Sequence, residues 1–485
     1  MRSQTILLVL LFAASCKKYI EVDTPETSIS SESAFSSNSG AVQVLTGIYT
    51  EMTRRSENGA FYTISVLPEL SADNLALYDP DGSTDYVDYY RNSLDPQYLN
   101  TNEDWTFWKI GYQQLYTINT AIEQLDGNTK LNSLVAKRLL GEAYFMRAFY
   151  YFNLVNFYGE VPLVLSTAYQ QTGQLRKSSS DQVYSQIISD LQKAEGLLDF
   201  SYVSSDMVKT TTERIRPNLA AVYALEARTY LYQKKYAEAE NAATKVITQT
   251  GYALSSLEGA FLKNSTETIW GLPSVEIGFN TREAYLFLLP DYGPDTWQYP
   301  VYISESLLNS FEAGDGRKSS WLGVVSVDNI DYYYPAKYKQ GYEGLSKNLV
   351  EYSIALRVAE QFLIRAEARN ELNNVEGAVE DLNALRAKRR AAVSAGVPNP
   401  LPPLQNTLSQ AQLRPIILNE RRVELFTEGG HRWFDLRRSG TIDAVMTEEE
   451  TVKGGTWAGY KVFYPIPRYD ILRNQNLEQT PGYIR

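Results

Sequence analysis

The 485-residue chain is 44% apolar, 21% charged and 12% aromatic, which excludes a disordered solvating chain and leaves enough length for two or three domains. Its 46 Lys+Arg against 57 Asp+Glu give a net charge of −11, which argues against nucleic acid as the main partner, because phosphate binding needs a cationic surface. With one His and one Cys, a Ser-His-Asp or Cys-His mechanism has only His431 to draw on, a His/Cys zinc site lacks ligands, and no internal disulfide forms. The conspicuous excess is 36 Tyr beside 7 Trp, side chains with a broad apolar face and a polar tip.

The chain starts with a short positive segment, Met1-Arg2, and a nine-residue apolar run over 6–14. That run fits the h-region of a signal peptide and falls short of the ~20 residues a membrane-spanning helix needs. Small residues Ala13, Ala14 and Ser15 then precede Cys16, a pattern similar to the lipobox of bacterial lipoproteins, with Ala13 where Leu is preferred. The reading is a signal peptide over 1–15 and lipidation at Cys16, favoured over plain cleavage that leaves a free thiol. Residues 16–39 are a Ser/Thr-rich tether, and no later stretch is apolar enough to span a bilayer.

Helical periodicity predicts helices near 40–54, 103–126, 133–157, 181–198, 217–233, 236–249, 352–372, 375–391 and 409–428. In 133–157, Leu139, Ala143, Met146, Tyr150, Leu154 and Phe157 form one face and Phe145, Phe149 and Phe152 another, so this helix is sandwiched, with Gly159 and Pro162 at its exit. Ala227, Tyr236, Ala239 and Val246 register with Ala366, Val375, Ala378 and Leu385 at a constant offset of 139, as in tetratricopeptide-like helix hairpins, and Asn374 is placed to cap the second. Irregular segments occupy 56–102, 159–180 and 264–350, with a β-like run over 267–272 and a Pro-rich loop over 396–407. The expected division is 40–263 and 264–485, the second half carrying the long loop-rich segment.

Several runs together resemble the SusD/RagB family of outer-membrane nutrient-binding lipoproteins. They are Arg-Ala-Phe-Tyr-Tyr-Phe-Asn-Leu-Val-Asn-Phe-Tyr-Gly-Glu-Val-Pro-Leu-Val (147–164), Leu-Arg-Val-Ala-Glu-Gln-Phe-Leu-Ile-Arg-Ala-Glu-Ala (356–368) and Glu-Arg-Arg-Val-Glu-Leu-Phe-Thr-Glu-Gly-Gly-His-Arg-Trp-Phe-Asp-Leu-Arg-Arg (420–438). Tyr-Pro-Ile-Pro (464–467), Asn-Gln-Asn-Leu-Glu-Gln-Thr-Pro-Gly-Tyr (474–483) and Cys-Lys-Lys-Tyr-Ile-Glu (16–21) complete the set, in the family's order. The doubled Gly429-Gly430 departs from the family's more usual single glycine. The resemblance implies a mostly α fold, a tetratricopeptide-like scaffold carrying a loop-rich ligand-binding half with minor strands. It further implies a non-enzymatic, lipid-anchored protein of the outer membrane's cell surface. Such a protein binds a glycan or oligosaccharide and passes it to a SusC-like, TonB-dependent transporter, without a cofactor.

Each motif has a plainer reading. Glu420 and Glu424, one helical turn apart, are a formal glycosidase pair, but Arg421, Arg422, Arg432, Arg437 and Arg438 make ion pairs the preferred explanation. His431 beside Trp433 reads as a packed residue. Asp79, Asp81, Ser83 and Asp85 fail the EF-hand pattern, because Gly82 stands at position four and Tyr90 at position twelve, so a solvated loop is preferred over adventitious calcium. The aromatic loop residues carry the ligand hypothesis: sugar C–H faces stack on rings while neighbouring Asp, Asn and Arg satisfy hydroxyls. Tyr292, Trp297, Tyr299 and Tyr302 sit in one loop-rich stretch, with Trp321 and Tyr332, Tyr333 and Tyr334 further along; Trp297, Tyr299 and Trp321 lead, with Asp73 and Asn74 in support. Asp73, Asn74, Tyr78 and Arg91 join them from the other long loop, where the resemblance often places ligand contacts. An envelope scaffold of helical-repeat type and an all-α glycoside hydrolase are the alternative functions.

Overall fold

Helices carry the fold, and half of the twelve longer ones among the described residues begin where the sequence supplies a side-chain cap. The computed structural model describes residues 31–54, 60–82, 86–97, 99, 106–345 and 348–484, so the expected signal peptide, Cys16 and the expected tether up to residue 30 lie outside the described residues. The rest of that tether, 31–39, instead carries a short helix (Ser31–Ala34), the buried Phe35 and the start of a longer helix at Asn38. Ser37 caps α1 (Asn38–Thr53), which is followed by α2 (Ala60–Ser71) and α3 (Phe107–Leu125). Asn132 accepts from the backbone N–H groups of Leu134 and Val135 to open α4 (Ser133–Tyr158), and a Ser179/Gln182 capping box opens α5 (Ser180–Leu197). Asn218 caps α6 (Leu219–Tyr232), and a tight turn leads to α7 (Tyr236–Ile247). Later come α8 (Val358–Glu371), α9 (Val375–Arg389) capped by Asn374, and α10 (Gln410–Leu425) with a Ser409/Gln412 capping box. The set closes with α11 (His431–Ser439) and α12 (Ile442–Lys453).

Helix α4 is the axis of the N-terminal half. Every residue from Gly141 to Tyr158 is buried, as two apolar faces require, because α3 packs on one side and α5 on the other. Gly159 ends the helix at φ +72°, a left-handed conformation that only glycine enters without strain. Arg147 of α4 donates twice to Asp190 of α5, at 2.8 and 2.7 Å, and once to Asn119 of α3, so one guanidinium ties three helices.

The stack continues through α6, α7, α8 and α9, each packed on the next, with α10 laid against α8. The two hairpins α6–α7 and α8–α9 turn alike: Lys234 and Asn373, separated by the repeat offset, both adopt positive φ, at 59° and 64°. Buried alanines Ala227, Ala239, Ala366 and Ala378 let the helices approach closely. The principal apolar cluster runs from Phe35 to Leu477, and a second one fills the space between α8, α9 and α10.

Among the described residues, strands occur as three two-stranded antiparallel ribbons: β1 (Leu75–Leu77) with β3 (Val301–Ile303), β2 (Thr268–Leu272) with β6 (Ser353–Arg357), and β4 (Leu322–Val327) with β5 (Ile330–Pro335). The helix expected over 352–372 therefore begins only at Val358, because residues 353–357 are drawn into pairing with β2. The segment 56–102, expected to be irregular, contains α2, despite Pro68 inside that helix. The fold class is mostly α with a loop-rich second half, as expected.

Helix α10 fastens that second half to the scaffold through an ionic core. Glu424 accepts from Arg317, Arg357 and Arg389, and Glu420 pairs with Arg317 and Arg386. Glu428 pairs with Lys337 and Arg357. These arginines come from α9, from the short helix Gly316–Ser320 and from the end of β6, so carboxylates one turn apart on α10 tie the loop-rich segment to the C-terminal helices. Clustered cations hold the Glu424 carboxyl well below the usual carboxylate range, because their attraction outweighs the desolvation that opposes it.

Candidate functional site

The β1–β3 ribbon brings two distant loop regions to one surface. Leu75 pairs with Ile303, Ala76 with Tyr302 and Leu77 with Val301, and the N–H of Tyr78 donates to Pro300 O at 2.7 Å. Tyr302 thereby meets Tyr332 of β5 edge-on at 5.2 Å between ring centroids, and Tyr78 meets the same ring at 6.1 Å. The β4–β5 hairpin is shaped to permit this. A Cβ at Gly323 would collide with the ring of Tyr334, its cross-strand partner.

The loop over 290–299 joins the same surface. Gly293, at φ +85°, sits against Val327 and Tyr332 at the hairpin, where a side chain has no room. Asp295 then organises the following turn: its Oδ1 accepts from the N–H groups of Trp297 (2.8 Å), Gln298 (2.6 Å) and Tyr299 (3.1 Å). Gln298 donates to the hydroxyls of Tyr299 (2.8 Å) and Tyr285 (3.2 Å), and Tyr292 lies edge-on to Tyr299 at 6.4 Å. The loop is thus hydrogen-bonded from within, yet it leaves Trp297 89% exposed and Tyr292 62% exposed. Trp297 and Tyr292 thus form an exposed aromatic feature held on a fixed turn.

The sequence-derived candidates divide at this point. Tyr292, Trp297 and Tyr299 share the Asp295 loop, and that loop meets the Tyr78–Tyr302–Tyr332 group where Gly293 sits against Tyr332. Arg91 stands apart from these rings as a strut, donating to Asp81 Oδ1 at 2.6 Å and to Lys453 O at 3.2 Å. Ser83 and Asp85 of the acidic loop lie outside the described residues.

Three expectations are corrected. Trp321 is 0% exposed: its indole N–H donates to Leu257 O at 3.0 Å, Phe261 meets it edge-on, and Lys337 and Arg389 lie over its ring, so no face is left for a ligand. Asp73, 1% exposed, is paired with Arg432 at 2.7 Å and Arg422 at 2.9 Å. Asn74, 0% exposed, bridges Glu69 (2.6 Å) and Arg422 (2.8 Å). Both residues brace the root of β1 instead of facing solvent.

The carboxylates considered for catalysis are likewise committed. Glu420 and Glu424 are 2% and 0% exposed within the ionic core. His431 is buried 3.7 Å from Glu360, with burial and the surrounding arginines Arg228, Arg421, Arg357 and Arg438 holding its pKa well below the usual histidine value. That is the packed histidine read from the sequence.

Sequence reasoning missed Tyr285, Gln298 and Asp295 as parts of the surface. The signal for Asp295 was present, since Asp followed two residues later by an aromatic in a Pro/Gly-rich stretch is a turn in which the carboxylate accepts backbone N–H groups.

Comparisons with known proteins agree with this architecture. Residues 18–231 match a family model described as "Starch-binding associating with outer membrane" (SusD-like), and residues 316–483 match the "SusD family" (SusD/RagB). The chain is 26% identical to SusD-like protein P38 of Formosa agariphila, covering 99% of this chain and 98% of that protein, and similarly to SusD-like protein P2 of the same organism. Among solved structures it is similar to a SusD superfamily protein from Bacteroides vulgatus (TM-score 0.75, 20% identity, 92% of this chain and 99% of that one). Another is surface glycan-binding protein A from Bacteroides fluxus (TM-score 0.72, 22% identity, 91% and 99%). Two family matches in chain order, relatives spanning the full length and a shared helical scaffold lead to one conclusion: the chain belongs to the SusD/RagB family.

Proposed function

We propose that the protein is a non-catalytic, surface-exposed lipoprotein of the outer membrane that binds a glycan or oligosaccharide and delivers it to a SusC-like, TonB-dependent transporter. At the level of the family, carbohydrate binding and association with the outer membrane are supported by the matched descriptions and by neighbours named as glycan-binding proteins. The observation that carries the reading for this chain is Trp297, 89% exposed on a turn fixed by Asp295, beside Tyr292, Tyr299 and the Tyr78–Tyr302–Tyr332 group. Such a surface stacks on the C–H faces of sugar rings and offers hydroxyls and amides at its edges.

Delivery needs a second protein, since no helix among the described residues is long and apolar enough to cross a membrane. Co-tethering on one membrane raises the effective concentration of binder and transporter, so a modest interface suffices.

Affinity electrophoresis in gels containing amylopectin, xylan, pectin or laminarin tests the binding. Retardation of the wild type by one polymer, lost in a Tyr292→Ala/Trp297→Ala variant that remains folded and without release of reducing sugar, is the expected result. Extraction in mild detergent that yields only free lipoprotein, with glycan uptake unimpaired on deletion of the gene, rules out the delivery role.

A further inference from the structure

A second feature, sharing no residue with the aromatic surface, lies on the helical scaffold. An open pocket of about 370 Å³ is formed by α5 (Gln192, Glu195), α6 (Glu226, Tyr230) and α7 (Glu238, Lys245 and the small residues around them). Glu226 lines it and is only 5% exposed, yet among the described residues its carboxylate has neither hydrogen bond nor ion pair. Glu195 lies close enough to oppose its charge, although Glu195 is itself served by the Tyr223 hydroxyl at 2.8 Å and by Lys245 at 3.6 Å. Lys245 is further held over the ring of Tyr223, 4.0 Å from its centroid; it makes no ion pair with Glu226, and its attraction on that carboxyl is smaller than the opposing effects of burial and Glu195.

A buried carboxylate without a partner is expensive to maintain, and a like-charged neighbour makes it more so. Burial first, and Glu195 second, push the Glu226 carboxyl up to about 7, so near neutrality it readily releases its proton to solvent when a cation binds. The described residues contain no group of three or more His, Cys, Asp or Glu placed to hold a metal ion, which disfavours a bare cation here. The ring of Tyr230 and the methyl groups of Ala237 and Ala242 line the pocket instead, giving an apolar wall for the stem of a longer group.

We propose that this pocket receives the guanidinium of an arginine side chain presented by a partner protein, with Glu226 as its buried anchor and Glu238 at the rim. A planar fork of N–H donors suits a pocket lined by several carboxylates better than a point charge does, and its stem fits the apolar wall found here. The inference stands independently of the aromatic surface, and the probes below contain no carbohydrate.

The test uses the full mature chain at pH 7 and follows binding by ligand-observed NMR and calorimetry. The probes are Gly-Arg-Gly amide, the uncharged isostere Gly-citrulline-Gly amide, spermidine and calcium chloride. Glu226→Gln, which removes charge while keeping shape, is the key variant, with circular dichroism to verify its fold. The expected result is saturable binding of the arginine peptide alone, weakened at least tenfold in Glu226→Gln. Absence of binding, equal binding of the citrulline peptide, or undiminished binding to Glu226→Gln overturns the proposal. Preference for spermidine or calcium over the arginine peptide overturns it in favour of a free polyamine or a metal ion.

Discussion

Arg422 donates from Nε to the Oδ1 of Asn74 at 2.8 Å, spanning 348 residues of chain. The same guanidinium reaches the backbone oxygen of Asp73 and the hydroxyls of Ser306 and Ser310, so α10 clamps the residues that precede β1 and those that follow β3. The β1–β3 ribbon is only three residues long, and this clamp, more than the ribbon, sets where Tyr78 and Tyr302 stand. The first prediction is that Asp73→Ala, which strands Arg422 and Arg432 in a buried site, destabilises the protein by about 3–5 kcal/mol. Chemical denaturation measures it, and a change below about 1 kcal/mol refutes the clamp.

Ligand contact and stability are expected to separate at two tryptophans. Trp297→Ala is expected to weaken glycan binding by about 1 kcal/mol or more, roughly fivefold, and to leave the melting temperature unchanged. Trp321→Ala removes a buried ring and is expected to cost about 3–5 kcal/mol of stability. Calorimetric titration and thermal unfolding of both variants decide the matter, and reversal of the two phenotypes contradicts the assignment.

Glu69 gives a pH dependence. Its carboxyl is raised from 4.5 to about 7, chiefly by burial, with Asn74 opposing the shift. A carboxyl raised in the folded state favours folding at low pH, so its contribution is complete below about 4.5 and is lost as pH rises through 7. The difference amounts to about 3 kcal/mol for this group. Glu69→Gln should flatten the stability profile between pH 5 and 8 and make the protein more stable than wild type at pH 8. Denaturant melts across that range supply the comparison, and parallel profiles for the two proteins count against it.

Gly323→Ala places a methyl group against the Tyr334 ring. The hairpin must splay, which displaces Tyr332 on the same strand. Weaker glycan binding with a global stability loss under about 2 kcal/mol is expected. Unchanged binding separates the hairpin from the site.

Cys16→Ala is expected to release the protein from the outer membrane. Mass spectrometry of the mature wild type should find Cys16 acylated more than once, since a single chain anchors only marginally. An unmodified thiol there refutes lipidation.

The helical scaffold was legible because its signals are local. The two faces of α4, the cap at Asn374 and the alanine register between the hairpins each follow from neighbours within a few turns. The strand Ser353–Arg357 was misread as helix because its partner, Thr268–Leu272, is remote in sequence. Trp321 and Trp297 look alike in sequence, both aromatic in a loop-rich segment. Only the tertiary arrangement shows that Phe261, Lys337 and Arg389 cover the first, while a turn around Asp295 leaves the second uncovered. Asp73 and Asn74 were misplaced for the same reason, since their arginine partners come from α10 and α11.

The pairing of Leu75–Leu77 with Val301–Ile303 also bears on when the protein becomes functional. Tyr78 meets Tyr332, and Tyr302 takes its place beside both, only after the chain has closed a loop of more than two hundred residues, among the slowest and most entropically costly events in folding. The helix pairs assemble from neighbours and can form first, but they carry none of this aromatic group. A chain truncated before β5 is therefore expected to bind no glycan at this surface, however much helix it has formed. Recovery of glycan binding during refolding should lag behind recovery of the far-ultraviolet signal, making the aromatic surface its own report that the last long-range contact has been made.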